Sequence, residues 1–201
     1  APPGAIASSG REVMRRDCEQ AIVLRGFLDA GIRSEGYLAS EVLDELLSGM
    51  ASRLFMKVRE EQGLAYYVTA TRMVGLDVGL FTVYAGTAAD KVPAVEAAFD
   101  AELARLCAGD LEPGELAAAK RRLIVRKLTS RQSPGGRAME AALDVRYGHG
   151  LTAPQDYEAR LAALDERTLA AHATKLFDPR NGYALLVEPE SDQPAVVEES
   201  M

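Results

Sequence analysis

Residues 52–70 read SRLFMKVREEQGLAYYVTA, and the two halves of this stretch follow different periods. In the first half Leu54, Phe55 and Val58 make an apolar stripe at helical spacing. Ser52 stands where a hydroxyl caps a helix N-terminus. Gly63 suits the left-handed residue that ends one. In the second half β-branched and aromatic residues dominate, the composition of a strand. The stretch therefore predicts a helix, a glycine reversal and a strand. Arg59 falls in the last helical turn, where a cation also suits the helix dipole. Tyr66 falls early in the strand.

Outward from this stretch the same signals recur. Upstream, EQAIVLRGFLDA (19–30) reads as a strand, with Ile22, Leu24 and Leu28 on one face and Val23 and Phe27 on the other, so that both faces are expected to be covered. EGYLASEVLDELLSGM (35–50) reads as a helix, with Leu38, Val42, Leu46 and Met50 recurring every fourth residue. Downstream, LAYYVTATRMV and VGLFTVYAG flank a short Gly-Leu-Asp turn and predict an antiparallel hairpin. The remainder is mostly helical. Asp90 is expected to cap a helix lined by Val92, Val95, Phe99, Leu103 and Leu106. Pro113 suits the first position of the next helix, whose stripe is Leu116, Leu123 and Leu128. Ser-Pro-Gly-Gly at 133–136 reads as a turn before MEAALDVRYGHG. Helices over 154–163 and 166–177 and a closing strand, GYALLVEP, complete the pattern. Residues 1–19 read as linker, 20–189 as one domain and 190–201 as a loose polar tail. This order predicts an α+β fold, a mostly antiparallel sheet with helices packed on one face.

Bulk properties narrow the function. The 201 residues carry a formal net charge of −7, with 48% hydrophobic and 26% charged residues, the composition of a soluble globular protein. The compartment is left open, periplasmic or cytoplasmic. No apolar run approaches the roughly 20 residues that span a bilayer. The first residues, APPGAIASSGREVMRRD, lack an initiator Met and the apolar core of a signal peptide, which reads as a piece of a longer chain or a processed product. Cys18 and Cys107 sit in no metal-type spacing and predict two free thiols.

The residue types that carry chemistry are sparse. A catalytic zinc site needs about three protein ligands. The chain has two histidines: His149 in a loop and His172 on a helix surface, with no His-x-x-Glu-His or His-Glu-x-x-His. A Ser/His/Asp triad is unsupported by the same census, although spacing alone does not decide it. Phosphate-binding glycine fingerprints are absent. Lys120–Arg137 holds seven Lys/Arg and no acid. That segment suits nucleic acid or an acidic peptide, but in an acidic protein it reads better as a solvated face or one paired to acids elsewhere. Arg59 and Tyr66 remain. A planar guanidinium fork grips carbonyl oxygens and a phenol donates from a rigid arm. Across one glycine reversal the two are candidates to hold a peptide carbonyl and stabilise charge developing on it.

The string LLSGMASRLFMKVREEQGLAYYVTA resembles the signature of the C-terminal, non-catalytic half-domain of pitrilysin/insulinase-type zinc metallopeptidases, the inverzincins. The hairpin ending VYAGTA, the segment LEPGELAAAKRRLIVRKL and the closing LDERTLAAHATKLFDPRNGYALLVEP resemble the same family in the same order, from about Gln20 to Pro189. The resemblance implies a LuxS/processing-peptidase-like half-domain that binds no cofactor itself. It implies a partner half-domain, in cis or as a separate chain, that carries zinc on His-x-x-Glu-His and activates the attacking water. It further implies an unfolded peptide substrate enclosed between the halves. Members place an arginine and a tyrosine seven positions apart against the substrate near the scissile bond, and Arg59 and Tyr66 stand at that spacing. No nucleic acid and no membrane span are implied, and a homo-oligomer is compatible. The alternative within the family is a regulatory or scaffold subunit without peptidase activity, as in mitochondrial processing peptidase and respiratory-complex core proteins. The short SGMASRL departs from the expanded glycine-rich loop of the processing-peptidase alpha subunit.

Overall fold

The structure, a computed structural model, describes residues 9–150 and 153–190. Five strands form one sheet: β1 (Gly10–Arg16), β2 (Ala21–Ala30), β3 (Tyr67–Met73), β4 (Val78–Thr87) and β5 (Gly182–Pro189), in the order β1-β5-β2-β4-β3. All pairings are antiparallel except β1 with β5. Six α-helices accompany them: α1 (Tyr37–Leu47), α2 (Val92–Cys107), α3 (Glu115–Ser130), α4 (Pro134–Tyr147), α5 (Ala153–Ala163) and α6 (Glu166–Leu176). The fold is α+β with a mostly antiparallel sheet, as the sequence predicts.

The pleat decides which residues meet the helices, since successive side chains point to opposite faces. On β2, Val23 and Phe27 are buried, and their antiparallel partners Ala85 and Phe81 on β4 are buried with them. Against this face lie α1, α2 and α6. Phe81 and Phe27 each meet the Phe177 ring edge-to-face, at 5.4 and 5.3 Å between centroids, a favoured aromatic geometry. The helical stripe Val92, Val95, Phe99, Leu103 and Leu106 is buried, as is Leu38, Val42 and Leu46 on α1.

The opposite sheet face corrects an expectation. Ile22, Leu24 and Leu28 are only half-buried, and their neighbours Leu80, Tyr67 and Tyr183 are exposed. One face of the sheet is thus left half-open, and it is apolar.

Five local expectations are also corrected. Residues 10–16, read within a linker, form the edge strand β1, held by parallel backbone pairing to β5. Its side chains are largely exposed and charged, so it has no apolar alternation to detect. Asp90 caps nothing: it lies in a short 3-10 turn, Ala89–Lys91, that leads directly into α2. Helix α3 starts at Glu115, because Gly114 takes a left-handed φ of 81° just before it. Ser-Pro-Gly-Gly is the opening of α4 itself, with the Ser133 hydroxyl accepting from the Gly136 N–H at 3.0 Å. Leu128 is exposed. Five residues beyond Leu123 it has turned about 140° away from the buried stripe. The tail from 191 onward and the first eight residues of the stretch read as linker lie outside the described residues.

Phe81 is fully buried beneath three helices and against Phe177. Phe81→Ala is expected to lower stability by about 3–5 kcal/mol, read as a shift in the urea midpoint at unchanged m-value.

Candidate functional site

The predicted helix over Ser52–Gln62 forms, in an unusual register. After Arg53 and Leu54, which are α-helical, Phe55–Glu61 is π-helical, a wide form often found at functional sites. The Ser52 hydroxyl accepts from the Phe55 N–H at 3.1 Å, the cap that the sequence predicts. Leu54 and Val58 are fully buried. They fix which side of the helix faces the core and leave Arg59 on the outside.

Arg53, the next residue after the cap, is buried too. Its guanidinium donates to the Asp110 carbonyl at 2.8 Å and lies 3.1 Å from Glu115 and 3.7 Å from Glu102. The helix is thereby tied to α2, to the loop after it and to the start of α3.

The chain reverses at Gly63, at φ 59°, the left-handed conformation that glycine adopts without steric penalty. The Gly63 N–H donates to the Arg59 carbonyl at 3.1 Å and the Leu64 N–H to the Val58 carbonyl at 2.9 Å. Lys91 donates to the Gly63 carbonyl at 2.9 Å. The Tyr66 N–H bonds the Gly86 carbonyl of β4 at 2.9 Å. Between the two candidate residues the backbone is therefore pinned at several points. The side chains themselves are free to meet a ligand: that of Arg59 is 44% exposed and Tyr66 is 57% exposed. The Arg59 guanidinium lies over the Phe55 ring, 4.9 Å from its centroid. Its ion pair with Glu60, at 3.8 Å, is long and solvated.

Two polar clusters escaped the sequence reading. In the first, Asp29, Ser40 and His172 come together. Ser40 donates to Asp29, and His172 Nε2 lies 2.7 Å from the Ser40 hydroxyl. Arg72 closes on the other Asp29 oxygen at 2.6 Å. The three residue types of a hydrolytic triad are present, but the hydroxyl sits between carboxylate and imidazole and is fully buried. In a nucleophilic triad the imidazole stands between the other two and the hydroxyl is open to substrate. This cluster is structural, and His172, expected on a helix surface, is an internal partner whose burial lowers its pKa.

In the second cluster Tyr157 donates to Glu41 at 3.2 Å beside Tyr37 and Asp44. Burial pushes the Glu41 carboxyl up, the Tyr37 phenol up to about 12 and the Asp44 carboxyl up to about 6. Burial and the Glu41 charge raise Tyr157 as well. His149, Glu41 and Asp144 line a cleft of about 90 Å³ here. Among the described residues no group of three or more His, Cys, Asp or Glu is placed to hold a metal ion. Cys18 and Cys107 are free.

Part of the basic segment pairs with acids elsewhere in the domain. Arg122 and Arg126 both pair with the buried Glu45, Lys127 and Arg131 pair with Glu140, and Lys120 donates to the Ala162 carbonyl. These contacts tie the segment to α1, α4 and α5.

Residues 2–123 match the family model described as the peptidase M16 inactive domain, and the chain belongs to that family. An uncharacterized zinc protease of Mycobacterium leprae is 31% identical over 179 residues, which cover 86% of this chain and 39% of that protein. Two solved structures share the fold. An M16 inactive domain from Pseudomonas fluorescens aligns with a TM-score of 0.81 at 19% identity, over 93% of this chain and 45% of that one. A protease from Helicobacter pylori gives 0.81 at 19% identity, over 90% and 45%. This chain spans less than half the length of the curated relatives it matches.

Asp44 provides a pH test of the second cluster. Its pKa, about 6 against an ordinary 3.8, means that the folded state favours the protonated carboxyl. The stabilising effect of that proton is present below pH 4 and lost as pH rises through 6. Asp44→Asn removes the penalty of the buried charge. At pH 8 the variant should be more stable than the parent by about 3 kcal/mol, with the gain vanishing near pH 4, as read from urea titrations at both pH values.

Proposed function

We propose that this chain is the substrate-binding, non-catalytic half of a zinc-dependent metalloendopeptidase, closing a peptide chamber over a zinc site carried by another half-domain. One observation carries the reading. Arg59 and Tyr66 project into solvent from the two sides of a backbone reversal whose own polar groups are tied down. Exposed polar side chains on a fixed backbone are the arrangement that positions a ligand without a large ordering penalty.

The roles follow from the donors. Tyr66 has one phenolic proton to give, to the scissile carbonyl oxygen or the oxyanion that develops on it. Arg59 presents a fork of N–H groups that holds a neighbouring substrate carbonyl and so sets register. Zinc, held by the other half, supplies the activated water. The half-open apolar face of the sheet, with Tyr67 beside Tyr66, suits the wall of a chamber for an unfolded chain. The relatives named zinc proteases are more than twice the length of this chain's match, which leaves room for a catalytic half on the same polypeptide. A separate partner chain is the other arrangement. The 201-residue chain alone should bind no stoichiometric zinc and cleave no peptide.

The test uses the protein that joins this chain to its catalytic half. Arg59→Ala and Tyr66→Phe should each reduce peptide turnover about 10- to 1000-fold, the effect of losing one positioned donor, with thermal stability unchanged. Full turnover in both variants would reject the substrate-contact role. One tightly held zinc per 201-residue chain, found by metal analysis, would reject the division of labour.

A further inference from the structure

The backbone that carries Arg59 is fixed by buried anchors, but a guanidinium on a long stem is not fixed by its backbone. Arg59 has several free torsions, and about half of its side chain is in water. The Glu60 carboxylate, itself exposed and 3.8 Å away, holds it weakly, because exposed ion pairs are offset by side-chain entropy and screening. The contact with defined geometry is the Phe55 ring, four residues earlier on the π-helix, with the guanidinium carbon 4.9 Å from its centroid. Phe55 is suited to the task. Its ring packs partly against the core, and its N–H is fixed by the Ser52 cap. The platform is therefore more rigid than the group that lies on it. A guanidinium that lies over an aromatic ring also keeps its N–H groups available, since the cation–π contact uses none of them in a hydrogen bond.

We propose that Phe55 is a positioning residue that holds the Arg59 guanidinium flat against its ring and so presents the N–H fork in one orientation to a substrate carbonyl. The proposal rests on the substrate-contact role of Arg59 for its functional consequence, but the restraint itself is a property of this chain. Replacing the ring by an aliphatic side chain of similar burial leaves the helix in place and frees the fork. The change should reduce the rate through Arg59 and through nothing else.

Two measurements separate the restraint from its consequence. The first is ¹⁵N relaxation at Arg59 Nε in the 201-residue chain, where Phe55→Leu should lower the order parameter and Phe55→Tyr, which keeps the ring, should preserve it. The second is peptide cleavage by the protein joined to its catalytic half. There Phe55→Leu should lower kcat/KM about 2- to 5-fold, the range expected for an exposed cation–π contact, and should have no further effect in an Arg59→Ala background. An unchanged Arg59 Nε order parameter in Phe55→Leu would overturn the proposal. So would a loss of the same size in the Arg59→Ala background, which would make Phe55 merely structural. Loosened Arg59 with cleavage indifferent to Arg59→Ala would uphold the restraint and reject the substrate contact instead.

Discussion

A guanidinium taken out of water must be met by negative charge and hydrogen-bond acceptors, or the fold cannot keep it there. Arg53 imposes that condition on three elements at once. Glu102 must face it from α2, the Asp110 carbonyl from the following loop and Glu115 from the first turn of α3. Arg105 then holds Asp110 at 2.6 Å and reaches Glu102 and Glu112, so the loop between the two helices is fixed in turn. The Glu115 carboxylate also accepts from the Glu112 N–H. A single buried cation thus sets where the short helix after Ser52 enters the domain. Leu54 and Val58, both fully buried, then set how that helix is rotated. The orientation of Arg59 and the position of the Gly63 reversal are consequences of these two constraints.

The parts of this arrangement that could be read in the sequence were those governed by period and by local chemistry. The stripe of Leu54 and Val58, the Ser52 cap, the left-handed Gly63 and the change to a strand at Tyr67 all lie within reach of neighbouring residues. The hairpin and the closing strand were legible for the same reason. What could not be read was pairing across distance. Nothing near Asp29 in the chain announces Ser40, Arg72 and His172 as its partners. A histidine in a helix with alanines around it reads as a surface residue until α6 is seen to lie over α1 and β2. Strand β1 was lost differently: its stability is in backbone bonds to β5, and backbone bonds leave no mark on side-chain composition. The π register of residues 55–61 has no signature in the spacing of Leu54, Phe55 and Val58 either, because three apolar positions fit several helical pitches.

Several buried ionisable groups are spent on structure. Asp29 and Arg72 join β2 to β3. Glu45 joins α1 to α3 through Arg122 and Arg126, and Glu140 joins α4 to α3 through Lys127 and Arg131. Each pair spans two elements, so each reports tertiary geometry more than local stability. This accounts for four of the seven cations of the segment that reads as a basic patch in the sequence. It also accounts for perturbed groups such as Asp44 and Tyr37 that lie remote from the Arg59 and Tyr66 turn. Burial between helices shifts a pKa as effectively as a catalytic environment does. In this domain the shifted groups mark packing, whereas Arg59 and Tyr66, with no comparable burial, are marked by exposure on a fixed backbone.

That contrast bears on what an M16 inactive domain can contribute to a longer protein. This domain commits its buried acids to cross-links between elements. It retains rigidity, an open apolar sheet face and a small number of exposed hydrogen-bond donors. Those properties suit the recognition of an extended peptide. Peptide carbonyls take donors, unfolded side chains take apolar surface, and neither requires a titrating group.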